Sequence, residues 1–73
     1  MRISMVTGKS YEPSDAIYMS NMKQCSRYLA TIGPEHLLDI LYDNTRNDNA
    51  LVFVWRRCDE TRRAKELWDK HLL

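Results

Sequence analysis

Residues 35–43, EHLLDILYD, decide the fold, because they read in two ways. As a helix they begin well: Pro34 suits a first helical position, Glu35 follows it, and Leu37, Leu38 and Leu41 share a face. As a strand, Leu38, Ile40 and Tyr42 alternate against Leu37, Asp39, Leu41 and Asp43. Local propensity leans towards helix. The following segment favours the strand. Residues 44–49, NTRNDN, are turn-formers that tolerate positive φ, and they lead into ALVFVWRR at 50–57. There Leu51, Phe53 and Trp55 point one way, and Val52 and Val54 the other. Two apolar faces mark a central strand, and a lone strand leaves its backbone groups unpaired. Residues 37–43 therefore read as its antiparallel partner, joined through a turn of about six residues.

The neighbouring elements follow outward. Residues 21–32, NMKQCSRYLATI, form a helix with Ser20 as the expected N-cap. Met22, Cys25, Leu29 and Ile32 make its apolar stripe. Gly33 supplies the left-handed residue that ends a helix, and Pro34 forbids continuation. Ala16-Ile17-Tyr18-Met19 is a strand, and RISMV at 2–6 is a short terminal one with Ile3 and Met5 on one face. At the other end Asp59 is the expected cap of a second helix, with Glu60 at the positive end of its dipole. Its inner face is Ala64, Leu67, Trp68, His71 and Leu72. Arg62–Glu66, Lys65–Asp69 and Glu66–Lys70 are the expected outer pairs. The expectation is one small α+β domain over 1–73, two helices packed on a small, mostly antiparallel sheet, with residues 1–15 loosely ordered.

These parts taken together resemble a family of short proteins of unknown function from bacteria and their phages. The pattern is a strand ending in Ser20, a helix with Tyr28-Leu29 near its end, Gly33 and a Leu37-Leu38-Asp39-Ile40 strand. An Asn-rich turn from Asn44 to Asn49, Val52-Phe53-Val54 and a charged helix from Glu60 to Trp68 complete it. The resemblance covers residues 16–70. It implies the strand reading of 37–43 and a phage or mobile-element origin, and it carries no catalytic residue.

Composition narrows the function. A chain of 73 residues with 44% hydrophobic and 29% charged residues is globular, with one modest core. A net charge of +1 provides no global field to draw in nucleic acid or an anionic membrane. The start, MRISMVTG, lacks a secretory pattern, and the longest apolar run, Ala50 to Trp55, falls far short of the ~20 residues that span a bilayer. Two cysteines, Cys25 and Cys58, are too few for a disulfide scaffold, so a cytoplasmic protein is expected.

Several other motifs fail on spacing or context. Gly8-Lys9-Ser10 ends like a phosphate-binding loop, but the first glycine of that motif would fall on Ile3, and Pro13 stands where the helix should run. Cys25, His36, Cys58 and His71 are separated by 11, 22 and 13 residues, without the tight ligand pair typical of zinc sites. Asp43, Asn47, Asp48 and Asn49 lack the glycine and closing glutamate of a calcium loop. No histidine is adjacent to Cys58 in sequence to serve as a base for nucleophilic catalysis. Neither an enzyme nor a cofactor, metal, membrane or small-molecule substrate is expected.

The positive signal is RRCDETRRAK at 56–65, in which Arg56, Arg57, Arg62, Arg63 and Lys65 are candidate contacts for phosphates or an acidic protein surface. Asp59 and Glu60 lie inside the cluster, so an ion-paired, solvated face is the plainer account. Phe53, Trp55 and Trp68 have the spacing of core residues. The function expected is a non-enzymatic interaction module that binds a protein partner or itself, through a sheet edge or the C-terminal helix. A nucleic-acid-binding accessory protein using the five basic residues is the alternative.

Overall fold

A computed structural model describes residues 1–42 and 51–73. Strand β5, Leu51–Arg56, is central in the sheet. It is flanked by β3, Ala16–Met19, and β4, Leu37–Tyr42, both antiparallel to it. Residues 44–49, expected as the turn between β4 and β5, lie outside the described residues. Helix α1 is Met22–Ile32 and helix α2 is Asp59–Asp69. A hairpin of two short strands, β1 (Arg2–Ile3) with β2 (Ser10–Tyr11), precedes them. The α+β architecture, two helices on a small antiparallel sheet, is the one expected.

Both readings of residues 35–43 contain a part of the answer. Pro34–His36 do coil, for one 3₁₀ turn, and the chain then extends into β4. Tertiary pairing with β5 overrides local helix propensity. The alternation within β4 needs correction. Trp55 pairs with Leu37 and Val54 with Asp39, so Leu38 is the extra residue of a β-bulge. Beyond the bulge the faces exchange. Leu37 and Ile40 pack together with Trp55, Phe53, Met19, Cys25, Tyr28 and Ala64 under the helices. Leu38 and Leu41 join Tyr11, Ala16 and Val54 on the opposite face.

The helices are placed by other residues than expected. Asn21, not Ser20, caps α1, its Oδ1 accepting from Gln24 N at 3.1 Å. The inward face of α1 is Cys25, Tyr28 and Ile32, while Met22 and Leu29 are exposed. Gly33 ends the helix at φ +75°, a conformation that costs a glycine little. Cys58, not Asp59, is the N-cap of α2. The inward side of α2 is Thr61 and Ala64 with half-buried Leu67 and Trp68; the helix ends before His71, and Leu72 is exposed. The first strand stops at Ile3, leaving Met5 in solvent.

The far face of the sheet is covered in part by the N-terminal hairpin. Its loop turns at residues 5–7 and holds Gly8 at φ +76°, and Gly8-Lys9 leads from that turn into β2 at Ser10. Lys9 Nζ donates to the carbonyls of Glu35 (2.7 Å) and Leu37 (3.1 Å), and Thr7 Oγ1 donates to Leu38 O at 2.6 Å. Ser4 and Tyr11, within the segment expected to be loosely ordered, are buried against Asp39. Among the described residues no helix is long and apolar enough to cross a membrane.

Candidate functional site

The five basic residues are exposed, but the fold does not keep them together. Arg56 ends β5 opposite Ala16, and Arg57 follows, its N–H donating to Asp15 O at 2.9 Å. Arg62, Arg63 and Lys65 stand on α2. Of the five, Arg57, Arg62 and Lys65 line one groove of about 470 Å³, with Ile17, Cys58, Asp59 and Glu66 as its other walls. Arg56 and Arg63 line neither this groove nor its neighbour. That neighbour, about 340 Å³, runs along Ile17 to Asn21 and is closed by Gln24, Tyr28 and Lys65. The two grooves adjoin at Ile17 and Lys65, beside β3.

Carboxylates temper the charge. Asp59 accepts from Arg62 at 3.3 Å, in place of the expected Glu66 partner, and Asp69 accepts from Lys65 Nζ with both oxygens at 2.8 Å. The bond to Asp69 holds the Lys65 ammonium above its ordinary pKa. Exposed pairs of this kind contribute little to stability.

The backbone of β3 matters as much as the side chains. Asp15 O accepts from Arg57 N, so residues 15, 17 and 19 direct their backbone groups towards β5, and Ala16 and Tyr18 direct theirs outward. Ala16 N is taken by Pro13 O. Among the described residues no backbone bond reaches Tyr18 from outside. The opposite edge is treated differently: β4 carries the bulge, and Thr7 and Lys9 occupy the carbonyls of Leu38 and Leu37. Bulges and covering loops are how sheets close an edge to strangers. The open edge is therefore β3.

The start of α2, which forms one wall of the groove, is held by Thr61. Its hydroxyl is fully buried, accepts from Cys58 N (3.0 Å) and donates to Arg56 O (2.7 Å). Thr61→Val keeps the shape and strands both groups. Urea denaturation at neutral pH should show a loss of about 1–3 kcal/mol; a loss below about 0.5 kcal/mol would mean that water replaces the hydroxyl.

A second cluster lies at the same end of the sheet. His36, Cys58 and Glu60 place one donor atom each within 4.8 Å of one another. Sequence reasoning puts His36 and Cys58 in a different set, with Cys25 and His71. Cys25 is buried in the core beneath α1 and His71 is exposed beyond α2, so that quartet is not assembled. In sequence Glu60 reads only as a dipole partner. No signal in the sequence marks the cluster; it follows from the pairing of Leu37 with Trp55, which brings His36 beside the residues that follow β5. No protein-family model, curated protein or solved structure matches this chain.

Proposed function

We infer that the protein is a non-enzymatic interaction module whose β3 edge receives an extended segment of a protein partner. The observation that carries this reading is the pair of adjoining grooves, meeting at Ile17 and Lys65, along an edge whose Tyr18 backbone groups face outward. Strand addition uses such an edge for affinity and side-chain pockets for specificity. Ile17 offers an apolar floor, and Arg57, Arg62 and Lys65 offer cations at the rim, which suits an apolar residue flanked by acidic ones. A slim strand fits these grooves better than a second copy does, because that copy would bring its own helices to the same place. A phage or mobile-element source agrees with the family resemblance and adds nothing to the mechanism.

Tyr18→Pro tests the edge itself. It removes an outward N–H and leaves the ladder to β5 intact, which is the position where a strand tolerates proline. The probe is a fluorescein-labelled peptide of alternating Glu and Val, followed by anisotropy. Wild type should bind it. Tyr18→Pro should weaken binding about tenfold, the equivalent of one or two lost backbone bonds, and Ile17→Asp should abolish it. Equal binding by Tyr18→Pro sinks the edge reading, as does failure of the wild-type protein to bind. A concentration-dependent mass without peptide, lost in Tyr18→Pro, would replace the partner by a second copy. A gel shift with DNA or RNA that fades steeply with salt and with Arg62→Ala plus Arg63→Ala would replace it by nucleic acid.

A further inference from the structure

We propose that His36, Cys58 and Glu60 form a binding site for a divalent transition metal of the zinc type, with three protein ligands and an open fourth position. The geometry comes from the fold. His36 closes the 3₁₀ turn before β4, and Cys58 caps α2 just after β5. Antiparallel pairing of β4 and β5 puts these two turns at one end of the sheet. Cys58 and Glu60 then come from one tight turn, which is how metal sites commonly recruit two ligands at once.

The distances suit a site that contracts slightly on binding. His36 Nε2 lies 3.9 Å from Glu60 Oε2, and all three donor atoms fall within 4.8 Å. Tetrahedral zinc with its usual bonds would bring ligand atoms to roughly 3.4–3.6 Å of each other. Glu60 is exposed and His36 and Cys58 are half-buried, so rotation of the Glu60 side chain supplies the movement. An ion pair between His36 and Glu60 accounts for those two groups alone; the Cys58 sulfur, which also caps α2, converges on the same point. The mixture of sulfur, imidazole nitrogen and carboxylate oxygen is the donor set of zinc, and of cobalt as its substitute, rather than of calcium or magnesium.

The supports behind the ligands are fixed. Thr61 holds the Cys58 backbone through Cys58 N at 3.0 Å and ties it to Arg56 O at 2.7 Å. Pro34 opens the turn that carries His36. Lys9 Nζ grips the carbonyls of Glu35 and Leu37, on either side of His36. Bonds of this kind hold ligands in position before a metal arrives.

Cobalt(II) titration of the metal-stripped protein tests the site. Wild type should bind one equivalent, with a thiolate charge-transfer band in the near ultraviolet and visible bands of tetrahedral intensity, and one equivalent of zinc should displace it. Cys58→Ser should abolish the charge-transfer band. Serine is a better N-cap than cysteine, so that variant keeps its fold. His36→Gln and Glu60→Gln should each weaken binding by about tenfold or more. Cys25→Ala, if folded by circular dichroism, should leave the spectrum unchanged. The site is disproved if wild type shows no band up to about millimolar cobalt, the range of the weakest metal sites, or if the band survives Cys58→Ser. It is equally disproved if the band is indifferent to both His36→Gln and Glu60→Gln, which would leave only an adventitious thiolate.

Discussion

An Asp39→Ala protein should lose about 3–5 kcal/mol of stability and release its N-terminal hairpin from the sheet. Asp39 is 5% exposed, and its carboxylate accepts three bonds. Ser4 Oγ donates at 2.7 Å, Tyr11 OH at 2.8 Å and Ile40 N at 2.8 Å. Ser4 Oγ in turn accepts from Val6 N and Thr7 N, so the carboxylate organises the whole loop. Alanine leaves these donors buried and unpaired, each at a cost of about 1–3 kcal/mol. A domain of this length has only about 4–11 kcal/mol in total, so the variant should be marginal at room temperature. Hydrogen exchange should show residues 4–11 unprotected even where the rest stays folded. Protection retained there at the wild-type level would sink the idea that Asp39 anchors the hairpin.

The same carboxylate sets an acid limit. Burial pushes its pKa up, but the bonds from Ser4, Tyr11 and Ile40, with help from the Arg2 charge, outweigh that and hold it below the ordinary range. A folded pKa below the unfolded one means stability that is present above about pH 4 and lost as pH falls through the folded value. Tyr11 is shifted the other way, by burial first and then by its bond to Asp39. Its contribution is present below about pH 10 and lost as pH rises beyond it. Asp39→Asn should flatten the acid limb and lower the plateau between these limits. An acid limb unchanged in Asp39→Asn would assign it to other carboxyls.

The parts legible in sequence are those whose cause is local. Val52, Val54, Leu51, Phe53 and Trp55 announce a central strand by their alternation, and Gly33-Pro34 announces the end of α1. The bulge at Leu38 is hidden, because it answers a demand from the far face of the sheet and no glycine marks it. The Ser4–Tyr11–Asp39 network is hidden too: its members lie 35 and 28 residues from Asp39, in a segment whose composition reads as loop. The basic run 56–65 is legible as a run but not as a surface, since β5 ends and α2 begins inside it. His36 and Cys58 can be suspected only as residue types. Their meeting depends on the register of β4 against β5, which a sequence pattern does not specify.

Trp55→Ala should be as damaging as the loss of Asp39, for a different reason, and Trp55→Phe should be nearly silent. The Trp55 side chain is fully buried, and Tyr28 meets it edge-on with ring centroids 5.6 Å apart at 65°. Removing it opens a cavity beneath both helices, which costs about 3–5 kcal/mol. Phenylalanine keeps most of the volume and the aromatic contact with Tyr28. It also removes a liability, because Trp55 Nε1 is buried with no hydrogen-bond partner. The Cys25 sulfur beside it is only a weak acceptor. Burial pushes the Cys25 thiol up in pKa, and the indole N–H opposes this only in part. An orphaned donor costs about 1–3 kcal/mol, similar to the packing given up when the smaller phenyl ring replaces the indole. The two terms offset, so Trp55→Phe should fall within about 1 kcal/mol of wild type in urea denaturation. If Trp55→Phe instead costs as much as Trp55→Ala, the indole N–H is making a bond that holds the core, and Cys25→Ala should then show a comparable loss.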